Sequence, residues 1–202
     1  MEHKPRTQAD RTAATRGALV AAARELFGTR GFADVGTEEV VRAAGVSRGA
    51  LYHQFADKTE LFAAVFEAVE EDLAGRIGAV VGRTGAGDPL GALGAGVGAW
   101  LDACAQPEVQ RIVLLDAPAV LGWERFRAIG LRYGVGLVES VLRAGMESGG
   151  LVTRPVRPLA HVLIGALDEA GLYVARAPDP AAARADVEAT LAALVTGLLA
   201  SP

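Results

Sequence analysis

Residues that build metal sites and disulfides are scarce in this sequence. It contains one cysteine, Cys104, and three histidines among 202 residues. A single cysteine cannot form an internal disulfide or a thiolate metal site, and His3, His53 and His161 do not have metal-ligand spacing. We therefore expect no metal ion, and the lone thiol fits a reducing compartment such as the cytoplasm.

Long hydrophobic runs are also missing, although 51% of the residues are hydrophobic and the mean hydropathy is +0.28. The longest stretches without charge, 89–101 and 189–202, are shorter than the roughly 18 apolar residues that a membrane-spanning helix needs. The first sixteen residues are polar and contain no apolar stretch of a signal peptide. The sequence therefore predicts a cytoplasmic protein with a hydrophobic core and no membrane partner.

Known catalytic motifs are absent as well. The sequence has no G-x-S-x-G, no H-E-x-x-H and no phosphate-binding loop. Glu70, Glu71 and Asp72 form a run of carboxylates, but on a long helix such a run is expected to be a solvated face. These absences disfavour an enzyme and predict no cofactor.

The formal net charge of −4 disfavours a protein that coats nucleic acid without selectivity. The charge is divided unevenly, because residues 1–55 carry a net charge of +2 and residues 56–202 a net charge of −6. An anionic partner is therefore expected at the front of the chain, and the rear is a poor surface for one.

What the sequence does contain is helical periodicity. Apolar residues recur at spacings of three and four, without the alternation of a strand. Gly and Pro mark the breaks, including one expected at Ala117-Pro118, and residues 84–89 form the best linker. The pattern predicts an all-α fold of about nine helices, at about 12–27, 37–44, 48–55, 58–83, 90–104, 108–116, 123–147, 157–175 and 181–199.

Residues 36–55 have the layout of a helix-turn-helix, with two short helices around Gly45. At about 100° per residue, Leu51 and Phe55 share the inner face of the second short helix. The opposite face offers groups that suit base edges and phosphates, and its members are Arg48, Gly49, Tyr52 and His53.

Three more residues extend this constellation. Thr37 and Ser47 are expected to cap the two short helices, and Lys58 begins the long helix after Asp57. Helix N-termini favour phosphate, so Thr37 and Lys58 are candidate backbone contacts. Capping, packing or solvation explains each residue taken alone about as well as DNA binding does, whereas the whole set together indicates a DNA reader.

A family resemblance rests on these residues. The DNA-binding signature of the TetR/AcrR family of transcriptional regulators resembles residues 37–61, TEEVVRAAGVSRGALYHQFADKTEL, and the family's first helix resembles AARELF at 22–27 followed by Gly31-Phe32. One departure is Gln54, because family members often have a His before the Phe. Gln54 still donates a hydrogen bond but carries no charge.

The resemblance implies an all-helical homodimer. It implies a three-helix DNA-binding domain at 11–71 and a C-terminal regulatory domain at 72–202 reached through the long helix. Before them we expect a flexible basic arm at 1–10 that carries Lys4 and Arg6, extends to Arg11, and reaches a neighbouring groove or phosphate. The implied DNA contacts are Thr37, Ser47, Arg48, Gly49, Tyr52, His53 and Lys58. The arm has an alternative interpretation as a disordered tail.

The rear half holds candidates for a ligand cavity, which needs apolar walls and a few polar groups. His161 and Asp168 are seven residues apart and share a helix face, where they either anchor a ligand, bond each other or face solvent. The aromatic candidates have the alternative role of plain core. The candidate lining residues are Trp100, Trp123, Phe126, Tyr133, His161, Asp168, Glu169 and Tyr173. Cys104 as a redox sensor is disfavoured, because no cation lies near it in sequence.

The last two helices are rich in small and apolar residues. In the resembled family this helix pair forms a four-helix dimer interface, and the alternative is intramolecular core. The candidate interface residues are Leu191, Leu194, Val195 and Leu198.

The function expected from the resemblance is that of a transcriptional regulator. We expect a repressor that binds a palindromic operator as a homodimer and is released by a small hydrophobic or amphipathic effector in the C-terminal domain. The alternative is a DNA-binding regulator without small-molecule input, controlled by a partner protein.

Overall fold

The computed structural model describes residues 7–84 and 87–199. Within those ranges the chain forms nine helices and no strand beyond an isolated bridge between Leu151 and Leu199, which confirms the all-α prediction. Eight of them are α1 (Gln8–Arg30), α2 (Thr37–Ala44), α3 (Arg48–Gln54), α4 (Lys58–Val81), α5 (Pro89–Cys104), α7 (Trp123–Glu147), α8 (Val156–Arg176) and α9 (Pro180–Thr196). The ninth, α6, is composite and is described below. Among the described helices, none combines the length and apolarity that crossing a bilayer requires.

Helix α1 begins earlier than the sequence predicts. Thr7 is its N-cap, with its Oγ1 accepting from the N–H of Asp10, and the Asp10 carboxylate accepting from the N–H of Thr7. This capping box fixes the first turn, so the expected arm at 1–10 is wrong from residue 7 onward and Arg11 lies inside the helix. Lys4 and Arg6 lie outside the described residues.

Helices α2 and α3 form the predicted helix-turn-helix. Gly36, not Thr37, is the N-cap of α2, because the Glu39 side chain accepts from the Gly36 N–H and closes the turn one residue earlier. Gly45 ends α2 in the left-handed conformation, with φ +66°, which glycine adopts without strain. Ser47 caps α3 as predicted, accepting from the N–H of Ala50 at 3.2 Å.

One hydrophobic core connects the front unit to the rest of the chain. Leu51, on the inner face of α3, is fully buried, as are Phe27 of α1 and Phe62 and Phe66 of α4. The rings of Phe27 and Phe62 lie edge to face, with their centroids 5.5 Å apart. Helix α4 runs unbroken past residue 71, so the front unit and the rear bundle share this helix.

Helix α6 differs from the prediction of a break at Ala117-Pro118. It starts as Pro107–Val109, continues as a π-helix over Gln110–Asp116, and finishes as Ala117–Leu121. The N–H of Ala117 donates to the carbonyl of Ile112, five residues back. Proline crowds the carbonyl four residues before it in a regular α-helix, and the wider π spacing just before Pro118 lets the chain remain helical.

Helices α5, α7, α8 and α9 form the rear bundle with the second half of α4. A second, smaller core of Leu142, Leu151 and Ala160 lies at the end of the bundle that contains the C-terminus of α7. The main core reaches the bundle through buried residues of α5 and α6, including Leu101 and Ile112. The space enclosed by these helices is the cavity described next.

Candidate DNA interface and C-terminal cavity

The outward face of α3 is open to solvent. Arg48, Gly49, Tyr52 and His53 are all exposed, and a Cβ built on Gly49 would meet nothing nearer than the Ser47 hydroxyl at 3.9 Å. The Arg48 guanidinium lies 5.7 Å from the centre of the Tyr52 ring and 3.3 Å from a carboxylate oxygen of Glu38. An exposed ion pair of this length contributes little, so Arg48 is available to another anion.

Lys58 is less exposed to solvent than the outward residues of α3. Its ammonium lies 4.1 Å from the centre of the Phe32 ring. Partial burial lowers its pKa, while the charges of Asp34 and Asp116 act in the opposite direction. A phosphate contact by Lys58 therefore competes with its position over the Phe32 ring.

Arg16 is a cation that the sequence analysis missed. Its guanidinium lies 4.4 Å from the centre of the Phe55 ring, and Nη1 is 3.5 Å from the carbonyl oxygen of Gln54, the last residue of α3. Cations near a helix C-terminus are favoured by the helix dipole. Nothing in the local sequence of α1 distinguishes Arg16 from other exposed arginines, because its partners are 38 residues away.

A cavity of about 370 Å³ lies inside the rear bundle. Its walls are mostly apolar and come from six helices, α4 to α9. Of the predicted lining residues, Trp100, Trp123, Phe126, Asp168 and Glu169 border it. Other residues on its walls include Leu73, Ile77, Val113, Leu114, Pro118 and Leu137.

Three predicted ligand residues are not on the cavity wall. Tyr133 packs against the main core, His161 is half-buried, and Tyr173 is 58% exposed on the outside of α8. His161 and Asp168 therefore do not form a joint anchor. Seven residues separate them by almost two turns of α8. Leu163 and Ile164, close to His161, border the cavity, but His161 itself does not.

The polar groups of the cavity are carboxylates with one arginine. Arg127 Nη1 lies 2.5 Å from Asp168 Oδ2. Burial raises the pKa of Asp168 to about 6, and Arg127 opposes that rise. Trp100 donates its indole N–H to the carbonyl of Leu167 at 2.8 Å, which fixes its ring against the wall.

Glu70 corrects the expectation that residues 70–72 form a solvated face. Glu71 and Asp72 are exposed, but Glu70 is only 9% exposed and borders the cavity. Burial, and then the nearby charge of Asp168, raise the pKa of Glu70 to about 7. The signal was present in the sequence, since Glu70 lies four residues after Phe66 and three before Leu73 and so continues the inner stripe of α4.

Cys104 lies at the inner side of α5, next to these acids. It is buried, and burial together with the charges of Asp168 and Glu70 raises the pKa of its thiol to about 12. A thiol that remains protonated is a poor nucleophile. In the described ranges, no three His, Cys, Asp or Glu side chains are grouped so that they could hold a metal ion.

The predicted dimer residues divide between inside and outside. Leu191 and Val195 are buried and border the cavity of their own chain, so their assignment to the interface is wrong. Leu198 packs on the small core at the end of the bundle. Leu194 is 58% exposed, because it lies about 60° around α9 from Leu191, beyond the edge of the buried side of the helix.

The front unit is attached to α6 by polar contacts. Arg24 of α1 binds both carboxylate oxygens of Glu108, at 2.8 and 3.0 Å, and also pairs with Asp72 of α4. Arg111 donates to the carbonyl of Arg30 at 3.0 Å. The π-helical segment of α6 thus borders the cavity on one side and holds the end of α1 on the other.

Comparison with known proteins finds family models that match both parts of the chain. A family model described as bacterial regulatory proteins, tetR family, matches residues 19–65. A second model, described as the tetracyclin repressor-like C-terminal domain, matches residues 90–198. The first match contains α2, α3 and most of α1, and the second contains all the helices of the rear bundle after α4.

Individual relatives give the same result. A TetR-family transcriptional regulator from Pectobacterium atrosepticum, known from a crystal structure, is 34% identical and superposes with a TM-score of 0.84 over 98% of this chain and 100% of its own. The HTH-type transcriptional regulator CymR of Pseudomonas putida is 45% identical over 76 residues, which are 38% of this chain and 37% of CymR. The HTH-type transcriptional regulator AcrR of Shigella flexneri is 35% identical over 79 residues, 39% of this chain and 36% of its own. The matches to these two curated relatives therefore span little more than a third of their length.

Proposed function

The chain belongs to the TetR family of DNA-binding transcriptional regulators, and from that premise we propose that it is a repressor released from DNA by a small molecule. The repressor binds a palindromic operator as a homodimer through α3, and the effector occupies the cavity of the rear bundle. The observation that carries this proposal is the position of α6, which borders the cavity and contacts α1.

The cavity has the properties of a small-molecule site. Such sites are concave, have volumes of several hundred Å³, and combine apolar walls with a few polar groups. The volume of about 370 Å³ is in this range, and the aromatic side chains of Trp100 and Phe126 form part of the apolar wall. Glu70, Asp168 and Arg127 supply the polar groups.

The coupling between cavity and DNA is assigned to α6. Val113 and Leu114 border the cavity, while Asp116, in the same π-helical segment, accepts a hydrogen bond from the N–H of Phe32. A ligand that displaces the first group shifts the second and changes the angle of α1 and α3. A ligand shifts this equilibrium only by the difference between its affinities for the two states.

The interface between protomers is assigned to the outer face of α8 and α9. Val162, Tyr173 and Leu194 are 68%, 58% and 58% exposed, and exposed apolar patches of this kind are typical of association sites. Val162 and Tyr173 are eleven residues apart, which places them on one side of α8. Of the interface residues predicted from the sequence, this face includes Leu194 but not Leu191 or Val195.

A two-fold symmetric dimer presents two copies of α3 to DNA. A single α3 reads only a few base pairs, too few to select one site in a genome. Two copies read an inverted repeat, with half-sites about one helical turn of DNA apart or a multiple of it. Arg48, Tyr52 and His53 of each α3 are the proposed base and phosphate contacts, and Lys58, Thr37, Ser47 and Gly49 position the helix on the backbone.

The experiment begins with selection of bound duplexes from random DNA, followed by a metabolite panel. We expect an inverted repeat to be enriched and at least one compound to weaken its binding. Enrichment of an inverted repeat with no active compound would favour control by a partner protein. Failure to enrich any sequence would contradict the proposal as a whole.

A further inference from the structure

Glu70 is a buried acid without a partner. It is 9% exposed and borders the cavity. Within 7–84 and 87–199 no residue forms a hydrogen bond or ion pair with its carboxylate, whose oxygens stay accessible from the cavity. A buried carboxylate is costly unless it is hydrogen-bonded or paired. Since polar groups in cavities orient ligands, an unpartnered carboxylate here indicates what the ligand must supply.

The charges around Glu70 do not satisfy it. Asp168 on α8 faces the same space and repels it, while Arg127 on α7 is already bound to Asp168 at 2.5 Å. Cys104 on α5 keeps its proton, because its pKa is raised to about 12. The cavity wall therefore carries one guanidinium and three carboxylates, of which Glu169 is exposed to solvent while Glu70 and Asp168 face the interior. With Arg127 bound to Asp168, the ionised Glu70 has no positive charge beside it.

We propose that the cavity takes an organic cation, an apolar body with one protonated amine whose ammonium group binds the Glu70 carboxylate. The inference rests on the proposed function of the cavity as a ligand site. The apolar body packs against Trp100, Phe126 and Leu137, and the ammonium supplies the missing charge. A carboxylate ligand meets like charges at this wall and is expected to bind more weakly than the amine.

Binding of an ammonium group should also change the protonation of Glu70. Glu70 has a pKa of about 7, so near neutral pH part of the protein carries a proton there. Binding of a cation favours the ionised carboxylate, and a proton leaves when the amine binds. Affinity for the amine therefore rises between pH 6 and pH 8, until Glu70 is fully ionised.

The test uses compounds matched in shape and different in charge. Tryptamine, tryptophol and indole-3-acetate form one set, and octylamine, octanol and octanoate form another. Each is titrated by calorimetry into the DNA-free protein. A charge-assisted hydrogen bond predicts that in at least one set the amine binds about tenfold or more tightly than both the alcohol and the carboxylate.

Variants assign that preference to one residue. Glu70→Gln is expected to reduce the preference for the amine over the alcohol to less than about threefold and to abolish proton release, measured in two buffers of different ionisation enthalpy. Glu71→Gln, on the exposed side of the same helix turn, is the matched control and should behave as the unmodified protein. A preference that survives Glu70→Gln overturns the proposal.

Other outcomes are equally decisive. Equal or tighter binding of the alcohol or the carboxylate in both sets contradicts a cation site, and so does absence of binding by both amines. These measurements contain no DNA, so they are independent of operator release. A protein that prefers the amine but whose operator complex ignores it would support the cation site and contradict the proposed function.

Discussion

The backbone N–H of Phe32 donates to Oδ2 of Asp116 at 2.7 Å, which ties the turn after α1 to the last residue of the π-helical segment. The adjoining Gly31 has φ +87°, and a Cβ there would lie 2.6 Å from the Arg111 side chain. The backbone at the end of α1 therefore lies directly against α6. Movement of α6 away from the cavity cannot leave the end of α1 unchanged.

Asp116→Ala should weaken this junction. Loss of a partly buried, charge-assisted hydrogen bond predicts a decrease of about 1–3 kcal/mol in the free energy of unfolding, measured by urea denaturation. Asp116→Asn keeps a carbonyl oxygen in the same place and should cost less. Equal losses in the two variants would show that the charge of Asp116, rather than its bond to Phe32, holds the junction.

Arg48→Ala should reduce specificity. An arginine that reads a base edge contributes about 1–3 kcal/mol on the operator and much less on random DNA, and fluorescence anisotropy with both duplexes measures the difference. Arg154→Ala, an exposed arginine in the loop before α8, is the control and should leave both affinities unchanged. A similar loss on both duplexes would reduce Arg48 to a phosphate contact.

Lys58 provides the contrasting result. Lys58→Ala should weaken the operator and random DNA about equally and lower the slope of log affinity against log salt by about one, because one phosphate contact is lost. An unchanged slope would mean that Lys58 stays on the Phe32 ring, where the free protein places it.

Glu70 makes stability depend on pH. Its folded-state pKa of about 7 is above the ordinary glutamate value of 4.5. The folded state therefore binds more protons between these values, and stability falls as pH rises through this window. Glu70→Gln removes this penalty. We expect the variant to gain up to about 3 kcal/mol over the unmodified protein at pH 8 and little at pH 5, measured by urea denaturation. A gain that is the same at both pH values would contradict the raised pKa.

Local sequence was sufficient for the front unit and insufficient for the cavity. Capping residues such as Ser47 and Asp57 and the apolar face of Leu51 act within one or two turns, so α2, α3 and the start of α4 could be predicted from spacing. Arg127 and Asp168 are 41 residues apart, and no local pattern pairs them. The same holds for the inward direction of Leu191, since an Ala-rich helix such as α9 has no polar side by which to orient it.

Two helix boundaries in the structure differ from the predicted ones, and each difference has a physical reason. Proline usually ends a helix, so the sequence predicts a break at Pro118, but the π-helical turn before it removes that conflict. The sequence also predicts Thr37 as a cap, whereas the side chain of Glu39 reaches back to the N–H of Gly36. In both cases the local sequence allows two backbone conformations, and packing against the rest of the chain decides between them.

The interface on α8 and α9 predicts a variant that stays folded and loses its partner. Tyr173 and Leu194 are exposed in the single chain, so Tyr173→Asp with Leu194→Asp leaves the core intact but buries unpaired charge in a dimer. Light scattering after size exclusion should show a monomer with unchanged helical circular dichroism. Leu115→Asp, at an exposed leucine on α6, should remain dimeric. A dimeric double variant would place the interface elsewhere.

The central claim is that occupation of the cavity controls binding of a dimer to DNA. It is tested most directly by titrating the protein against its selected operator by anisotropy, with and without an effector found in the panel, and repeating this with Asp116→Ala. The account predicts two chains per duplex, a weaker complex when the effector is bound, and a smaller effect of the effector in the variant, since α6 carries the coupling. An operator affinity that does not change when calorimetry shows the cavity to be saturated would contradict it.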